Sequence, residues 1–421
     1  MSPVRPTVQV VGRRLEAEDH RLRDFLTRIA QPHEWFEAGS PEAVRLLDRL
    51  GVADALLPVV VDGERTFAGA TVELLAAAWS QRASPSRSHY DFVVVGAGPA
   101  GLAAAVYAAS DGLSTAVFDR DVPGGQASHT SLIENFFGFP DGIGGAELAR
   151  LAGRQAEQFG AELMLLHGIR GSRLNGQDER VGLIVDDGSE VTASVVLAAA
   201  GMDWRRLDLA GVDELLDRGV YYGAGRSEAV QCSGQRVVVV GAGNSAGQAV
   251  LNFANAGARI TMLVRGDRLG SRMSAYLVER IDRNALIDVR LETELTELHA
   301  TGDRLAAVTV TDAAGGAHSD SADAVFLCIG GRPHTDWCPS ERVATDAAGY
   351  ILTGQDLLTG GRPDGWPLDR DPLPLETSRA GVFAAGDVRH GSTKRVAGAV
   401  GEGAMAAALA FSRLAEVGVT V

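Results

Sequence analysis

The sequence predicts a multidomain α/β fold, and three observations carry that prediction. Twice, a run of β-branched residues feeds a glycine-rich turn and then a small-residue helix: residues 91–101 read DFVVVGAGPAG and residues 235–249 read QRVVVVGAGNSAGQA. Glycine is abundant (51) and aromatics are few (6%), which suits strands covered by small-residue helices rather than an all-β fold. At 421 residues the chain exceeds one hydrophobic core, so two or three domains are expected.

In the first turn, Gly96 permits the tight bend, Gly98 lets the backbone approach a pyrophosphate, and Gly101 lets the helix pack close to the strand. Pro99 and Ala100 lie within the turn as cofactor-binding candidates, and residues 102–110 read as an Ala-rich helix whose N-terminal N–H groups favour phosphate. Strand 115–118 then ends at Asp119, followed by Arg120, where an acid takes the ribose hydroxyls of a dinucleotide. The second turn has Gly241, Gly243 and Ala246, with Asn244 and Ser245 between them. Its second strand, 258–264, ends in Arg265 rather than an acid, with Arg268 and Arg272 nearby. Arginine there attracts a 2′-phosphate, which favours NADPH over NADH; the alternative is a solvated charged loop, its positive field diluted by Asp267.

The net charge of −15 argues against nucleic acid as a partner. No apolar run approaches a membrane span, and the first residues (MSPVRPTVQVV) lack a signal-peptide core, so a cytoplasmic enzyme without a membrane partner is expected. The three cysteines, Cys232, Cys328 and Cys338, form no C-x-x-C pair, no disulfide framework and no metal-ligand cluster. Cys328 lies in an apolar strand (324–329) and reads as a small core residue.

Ahead of the first glycine turn, residues 7–13, 33–37, 56–61 and 65–68 read as strands, and 19–29, 41–50 and 71–79 as helices, with Ser40 a candidate cap. This β-α-β-α-β-β-α order, with Pro58 at the start of the third strand, resembles a thioredoxin- or glutaredoxin-like domain, in which Pro58 would be the cis-proline. Where such domains carry C-x-x-C this chain has RLEAED (14–19), so no nucleophilic thiolate stands there. An unrelated docking or dimerisation domain is the alternative. The division expected is residues 1–80 for this domain and 81–89 for a polar linker.

From residue 90 onward the resemblance is specific. PGGQASHTSLIENFFGFP (123–140), the strand end Ala199-Ala200-Gly201, GVFAAGD (381–387) and KRVA (394–397) resemble the low-molecular-weight thioredoxin reductase family. The resemblance implies two Rossmann-like domains, an FAD-binding one from residues 90–207 and 331–421 and a NAD(P)H-binding one from 208–330, in a homodimer. It places Gly125 and Gln126 along the FAD pyrophosphate and ribityl chain, Thr130 and Asn135 near the isoalloxazine, and Ala199 and Gly201 at the strand end. Gly386 and Asp387 would meet the ribityl chain, and Arg395, Val396 and Ala397 would lead into a closing helix (398–414) whose N–H groups face the flavin. His129 is a candidate proton donor beside the flavin, against a purely structural role. The departure lies at residues 219–228, GVYYGAGRSE: aligned on Tyr222, the family's two cysteine positions fall on Gly223 and Arg226. The Gly- and Pro-rich segment 353–374 reads as a lid, a docking loop or a surface excursion.

These readings imply a flavoenzyme that takes hydride from NADPH and hands it to a non-disulfide acceptor: a partner redox protein, a small organic molecule or oxygen. Ferredoxin–NADP reductases of this architecture also lack the C-x-x-C. Two alternatives are an FAD-dependent oxidase or dehydrogenase of a small metabolite with a vestigial nicotinamide site, and a non-enzymatic flavin-binding regulator.

Overall fold

The protein is described by a computed structural model covering residues 6–13, 16–79, 84–130, 132–173, 180–223, 229, 231–271, 273–338 and 343–418. Its first elements are β1 (Val8–Gly12), α1 (Ala17–Arg28), β2 (His33–Glu37), α2 (Pro41–Leu50), β3 (Val59–Asp62), β4 (Arg65–Ala68) and α3 (Val72–Ala78). The strands form one sheet in the order β2-β1-β3-β4, with β1 parallel to β2 and antiparallel to β3. Ser40 caps α2 by accepting from the Ala43 N–H at 3.2 Å, and Gly51 ends that helix in a left-handed conformation. Val11, Val59 and Val61 of the sheet bury against Ala43 and Leu46 of α2. The Leu57–Pro58 peptide is cis.

Next come β5 (His89–Val95), α4 (Pro99–Ser110), β6 (Thr115–Asp119), α5 (Gly145–Gln158), β7 (Glu162–Leu165), β8 (Ile169–Arg173), β9 (Val181–Val185), β10 (Glu190–Ala198) and β11 (Met202–Trp204). β7, β6, β5 and β10 run parallel, and β9 and β8 extend the sheet antiparallel. From Phe92 to Val95 β5 is apolar and buried because both faces of this sheet are covered, which is why that stretch reads as a continuous hydrophobic run. β8 (IRGSR) has no such signal and emerges only as the partner of β9.

The chain continues through β12 (Val220–Tyr222), β13 (Arg236–Val240), α6 (Asn244–Asn255), β14 (Arg259–Val264), α7 (Ala275–Asp282), β15 (Ile287–Leu291), β16 (Thr293–Thr301), β17 (Arg304–Asp312), β18 (Ala317–Ser321) and β19 (Ala324–Leu327). A parallel sheet has the order β12-β19-β13-β14-β15, and β16-β17-β18 form an antiparallel meander. The sequence suggests one strand over 287–298; the structure has two, broken at Glu292, which takes a φ of 50°. The chain returns through β20 (Gly331–Pro333) and β21 (Val382–Ala384), which pairs with β10, to α8 (Val396–Glu416). Gly403 lets α8 lie against α4: a Cβ on it would sit 2.0 Å from the Ala100 carbonyl oxygen.

By contacts the chain forms two compact units. One comprises Met1–Ala76, His129–Ser131 and Trp204–Gly330; the other Ala77–Ser128, Leu132–Asp203 and Gly331–Val421. In the second unit the 353–374 segment is strapped down rather than loose. Arg370 donates to the buried Glu376 and to Glu416 of α8, and the Trp366 indole donates to the Arg370 carbonyl. No described helix is long and apolar enough to cross a membrane.

Candidate cofactor sites

Strand β5 delivers Gly96 against the end of β10. Gly96 has a φ of 112°, and a Cβ there would fall 2.3 Å from the Ala199 carbonyl oxygen. Gly101 is equally constrained, since its Cβ would sit 1.8 Å from the Gly96 carbonyl oxygen. Gly98 differs: nothing lies within 4 Å of its Cβ position, and it caps α4 without a side-chain bond. The helix therefore presents uncapped N–H groups to an open concavity, the arrangement a pyrophosphate needs. Pro99 is the first helical residue, where its missing N–H costs nothing.

Asp119 stands at the end of β6 as expected, but its carboxylate also pins the turn. Its oxygens accept from the Ala97 N–H (2.5 Å) and the Asp121 N–H (2.9 Å), and burial pushes the carboxyl above the usual range against the pull of those donors. Arg120 turns away from a simple phosphate-binding role and pairs with Asp203. Gly125 opens a 3-10 turn (Gly125–His129), and the Gln126 amide nitrogen is held by the Met202 carbonyl at 2.8 Å. Asn135 is exposed and Thr130 half-buried. Gly201 takes a φ of 66° just past the strand end.

Opposite β5, Gly386 (φ 74°) donates its N–H to Glu402 of α8 at 2.7 Å, and the same carboxylate takes Arg389 at 2.6 Å. Burial raises the Asp387 carboxyl while the nearby Lys394 lowers it. Lys394 donates to the Asp387 carbonyl and lies 4.2 Å from the centre of the Tyr350 ring. Arg395 caps α8 with no side-chain bond and is exposed, leaving the N–H groups around Val396 and Ala397 uncapped by any side chain of the cap residue. Glu402 escaped the sequence reading, and Lys394 entered it only as the first residue of the KRVA block. The only trace of Glu402 is an acid inside a Gly- and Ala-rich stretch of helix.

The second cradle repeats the first in the other unit. A Cβ on Gly241 would lie 2.3 Å from the Cys328 carbonyl oxygen, Gly243 faces open space, and Gly243 caps α6 without a side-chain bond. Ala246 is buried where the first loop has Gly101. Ser245 is exposed on the first turn of α6. Asn244 is committed elsewhere: its side-chain oxygen accepts from the Ser274 N–H at 2.7 Å, positioning the start of α7 rather than reading a phosphate. Arg265 and Arg268 are exposed beyond β14; Arg272 lies outside the described residues.

Residues 219–228 contain no cysteine. Gly223 has a φ of 75°, and a Cβ on it would approach the Trp204 ring to 2.8 Å; Arg226 lies outside the described residues. Cys232, Cys328 and Cys338 are buried and in no disulfide. Burial pushes the Cys328 and Cys338 thiols up to about 12, so neither is a thiolate near neutral pH. His129 belongs to the first unit, its Nδ1 3.9 Å from Asp24 and its ring edge-on to Trp204.

Two open glycine cradles at uncapped helix ends, each at the carboxyl edge of a parallel sheet, define an oxidoreductase built to hold two dinucleotides. Residues 90–403 match the family model described as pyridine nucleotide-disulphide oxidoreductase, and the chain belongs to that family. It is 34% identical to the thioredoxin reductase of Bacillus subtilis over 321 residues, covering 76% of this chain and 92% of that protein. Among solved structures it is similar to the thioredoxin reductase of T. acidophilum (28% identity, TM-score 0.68, 77% of this chain and 99% of that one). It is equally similar to the FR conformation of Lactococcus lactis thioredoxin reductase (28%, TM-score 0.69, 78% and 99%). FAD and NADPH are the cofactors of thioredoxin reductases in this family, and the two cradles fit them.

Proposed function

We propose that the protein is an FAD-dependent NADPH oxidoreductase whose electron acceptor is not a protein dithiol, so that it is thioredoxin reductase-like without being a thioredoxin reductase. The observation that carries this reading is a contrast: both dinucleotide cradles keep every glycine the backbone requires, while the chain's three cysteines are dispersed and buried. Bound cofactors would supply hydride transfer from the nicotinamide to the flavin. The chain's own residues do the rest. Gly98 and Gly243 admit the pyrophosphates, the N-termini of α4 and α6 offset their charge, and Arg265 and Arg268 select the 2′-phosphate. The N-terminus of α8 would favour the anionic, reduced form of the flavin.

Residues 1–80, ahead of the family match, make up a thioredoxin-like domain without active cysteines in this reading; the strand order β2-β1-β3-β4 supports it. Residues 90–207 with 331–421 hold FAD, 208–330 hold NADPH, and the working form is a homodimer.

Anaerobic stopped-flow mixing of FAD-loaded protein with NADPH, then with NADH, tests the reading. Fast flavin bleaching with NADPH and slow bleaching with NADH are expected, together with no turnover on oxidised thioredoxin. Absence of bleaching with either nucleotide would sink it, as would rapid disulfide reduction.

A further inference from the structure

The turn that follows β21, Gly386–Val388, lies in the second compact unit and is gripped at two successive residues. It leaves the sheet at the carboxyl end of β21, beside β10. Gly386 adjoins the first dinucleotide cradle: a Cβ on it would lie 3.1 Å from the Ala100 Cβ in the first turn of α4 and 3.7 Å from that of Ala399 in α8. Its N–H donates to Glu402 Oε2 at 2.7 Å, and Arg389 donates to Glu402 Oε1 at 2.6 Å. The Arg389 and Glu402 side chains are each 16% exposed, so this charge-assisted bond is largely withdrawn from water. One residue on, the Asp387 carbonyl accepts from the Lys394 ammonium, which lies over the Tyr350 ring.

The backbone of this turn is thus held, and the Asp387 side chain is not. Among the described residues no group hydrogen-bonds to its half-buried carboxylate. The other acids of this neighbourhood are taken. Glu402 holds Gly386 and Arg389, and Asp119 is folded under its own turn. Asp346 accepts from His390 at 2.8 Å and from the Ala348 and Tyr350 N–H groups at 2.9 Å. A carboxylate drawn out of water without donors is costly, so a ligand that brings hydroxyl groups to it replaces what solvent no longer supplies. FAD carries such hydroxyls on its ribityl chain.

We propose that Glu402 and Lys394 are positioning residues for FAD that act through Asp387: by fixing the Gly386 N–H and the Asp387 carbonyl, they aim the Asp387 carboxylate at the hydroxyl groups of the ribityl chain. The proposal rests on the reading of residues 90–207 and 331–421 as the FAD-binding part. Neither residue touches the cofactor in this role. Glu402 has the larger share, because it satisfies a buried N–H and a guanidinium at once, and truncating it leaves both donors unpaired. Lys394 is exposed and holds a single carbonyl, so its share is smaller.

The test is FAD binding to the flavin-stripped full chain, read by quenching of flavin fluorescence, with ADP binding by calorimetry as a control for the α4 cradle. A wild type that does not take up FAD overturns the cradle reading and this inference with it. Glu402→Ala should weaken FAD binding about tenfold or more while leaving ADP within about twofold. Glu402→Gln, which keeps an oxygen for the Gly386 N–H, should recover most of that loss. Asp387→Ala should weaken FAD at least as much. Combining Glu402→Ala with Asp387→Ala should be no worse than Asp387→Ala alone, because without the carboxylate nothing is left to aim. If Glu402→Ala does not fold, Lys394→Met takes its place, with a loss of about threefold and the same non-additivity. Losses that multiply in the double variant, ADP affinity that falls in step with FAD, or unchanged FAD affinity in the single variants would overturn the positioning role and leave the cradle reading intact.

Discussion

The two glycine cradles are built alike and finished differently. In each, the first glycine is pressed to 2.3 Å from a strand-end carbonyl, Ala199 for Gly96 and Cys328 for Gly241, so neither tolerates a side chain. In each, the second glycine faces open space. The third position separates them: Gly101 is jammed against its own loop, whereas Ala246 carries its methyl group into a buried pocket. The strand-end residues diverge further, because Asp119 is folded back under its turn and Arg265 points to solvent. The first cradle thus ends in an acid committed to its own turn, and the second in an exposed arginine.

The largest effect that can break this comparison is at the third glycine. Gly101→Ala should destabilise the protein by roughly 3 kcal/mol or more and yield colourless protein, while the converse change, Ala246→Gly, should cost only about 1 kcal/mol in urea unfolding. A yellow, normally stable Gly101→Ala would show that the close approach is unimportant. Next in size is Arg265→Glu. It should lower kcat/KM for NADPH by about 10- to 100-fold, corresponding to about 1.4–2.7 kcal/mol, with little loss for NADH. Equal losses with both nucleotides would remove Arg265 from the recognition of the 2′-phosphate.

A smaller effect concerns pH. Burial raises the Asp119 carboxyl, so the folded protein keeps that proton to higher pH than the unfolded chain does. Stability contributed by this group is therefore lost as pH rises from the ordinary value of 3.8 through the raised one, and the loss is constant above it. In FAD-free protein, Asp119→Asn should flatten that part of the melting-temperature profile; an unchanged slope would assign it to other carboxyls. The smallest expected effect is at sulfur. Native protein at pH 8 should leave Cys328 and Cys338 unreactive toward a thiol reagent until denatured, and Cys232→Ser or Cys338→Ser should still allow NADPH to bleach the flavin. A dead single mutant would reopen a thiol mechanism.

The cradles were legible in the chain because their signals are local: β-branched runs, glycines at fixed spacing and helices of small residues. The N-terminal β-α-β-α-β-β-α order was legible for the same reason, including the Ser40 cap. What escaped was long-range. Asn244 reads as a phosphate contact until Ser274, thirty residues away by hydrogen bond, claims it. Glu402 has no sequence neighbour that reveals its bond to Gly386. The break at Glu292 looks like uninterrupted strand because the turn between β15 and β16 uses a non-glycine residue at positive φ.

The chain by itself determined where side chains are forbidden and where thiols are missing, since backbone sterics and residue identity need no tertiary context. Only the tertiary structure decided which polar groups remain available to a ligand. Asp119, Arg120, Gln126 and Asn244 all have the right chemistry in sequence, yet each is engaged with another part of the chain. A polar group left without a partner on burial is costly, so folding assigns partners before any ligand arrives, and those assignments depend on which segments the sheets bring together.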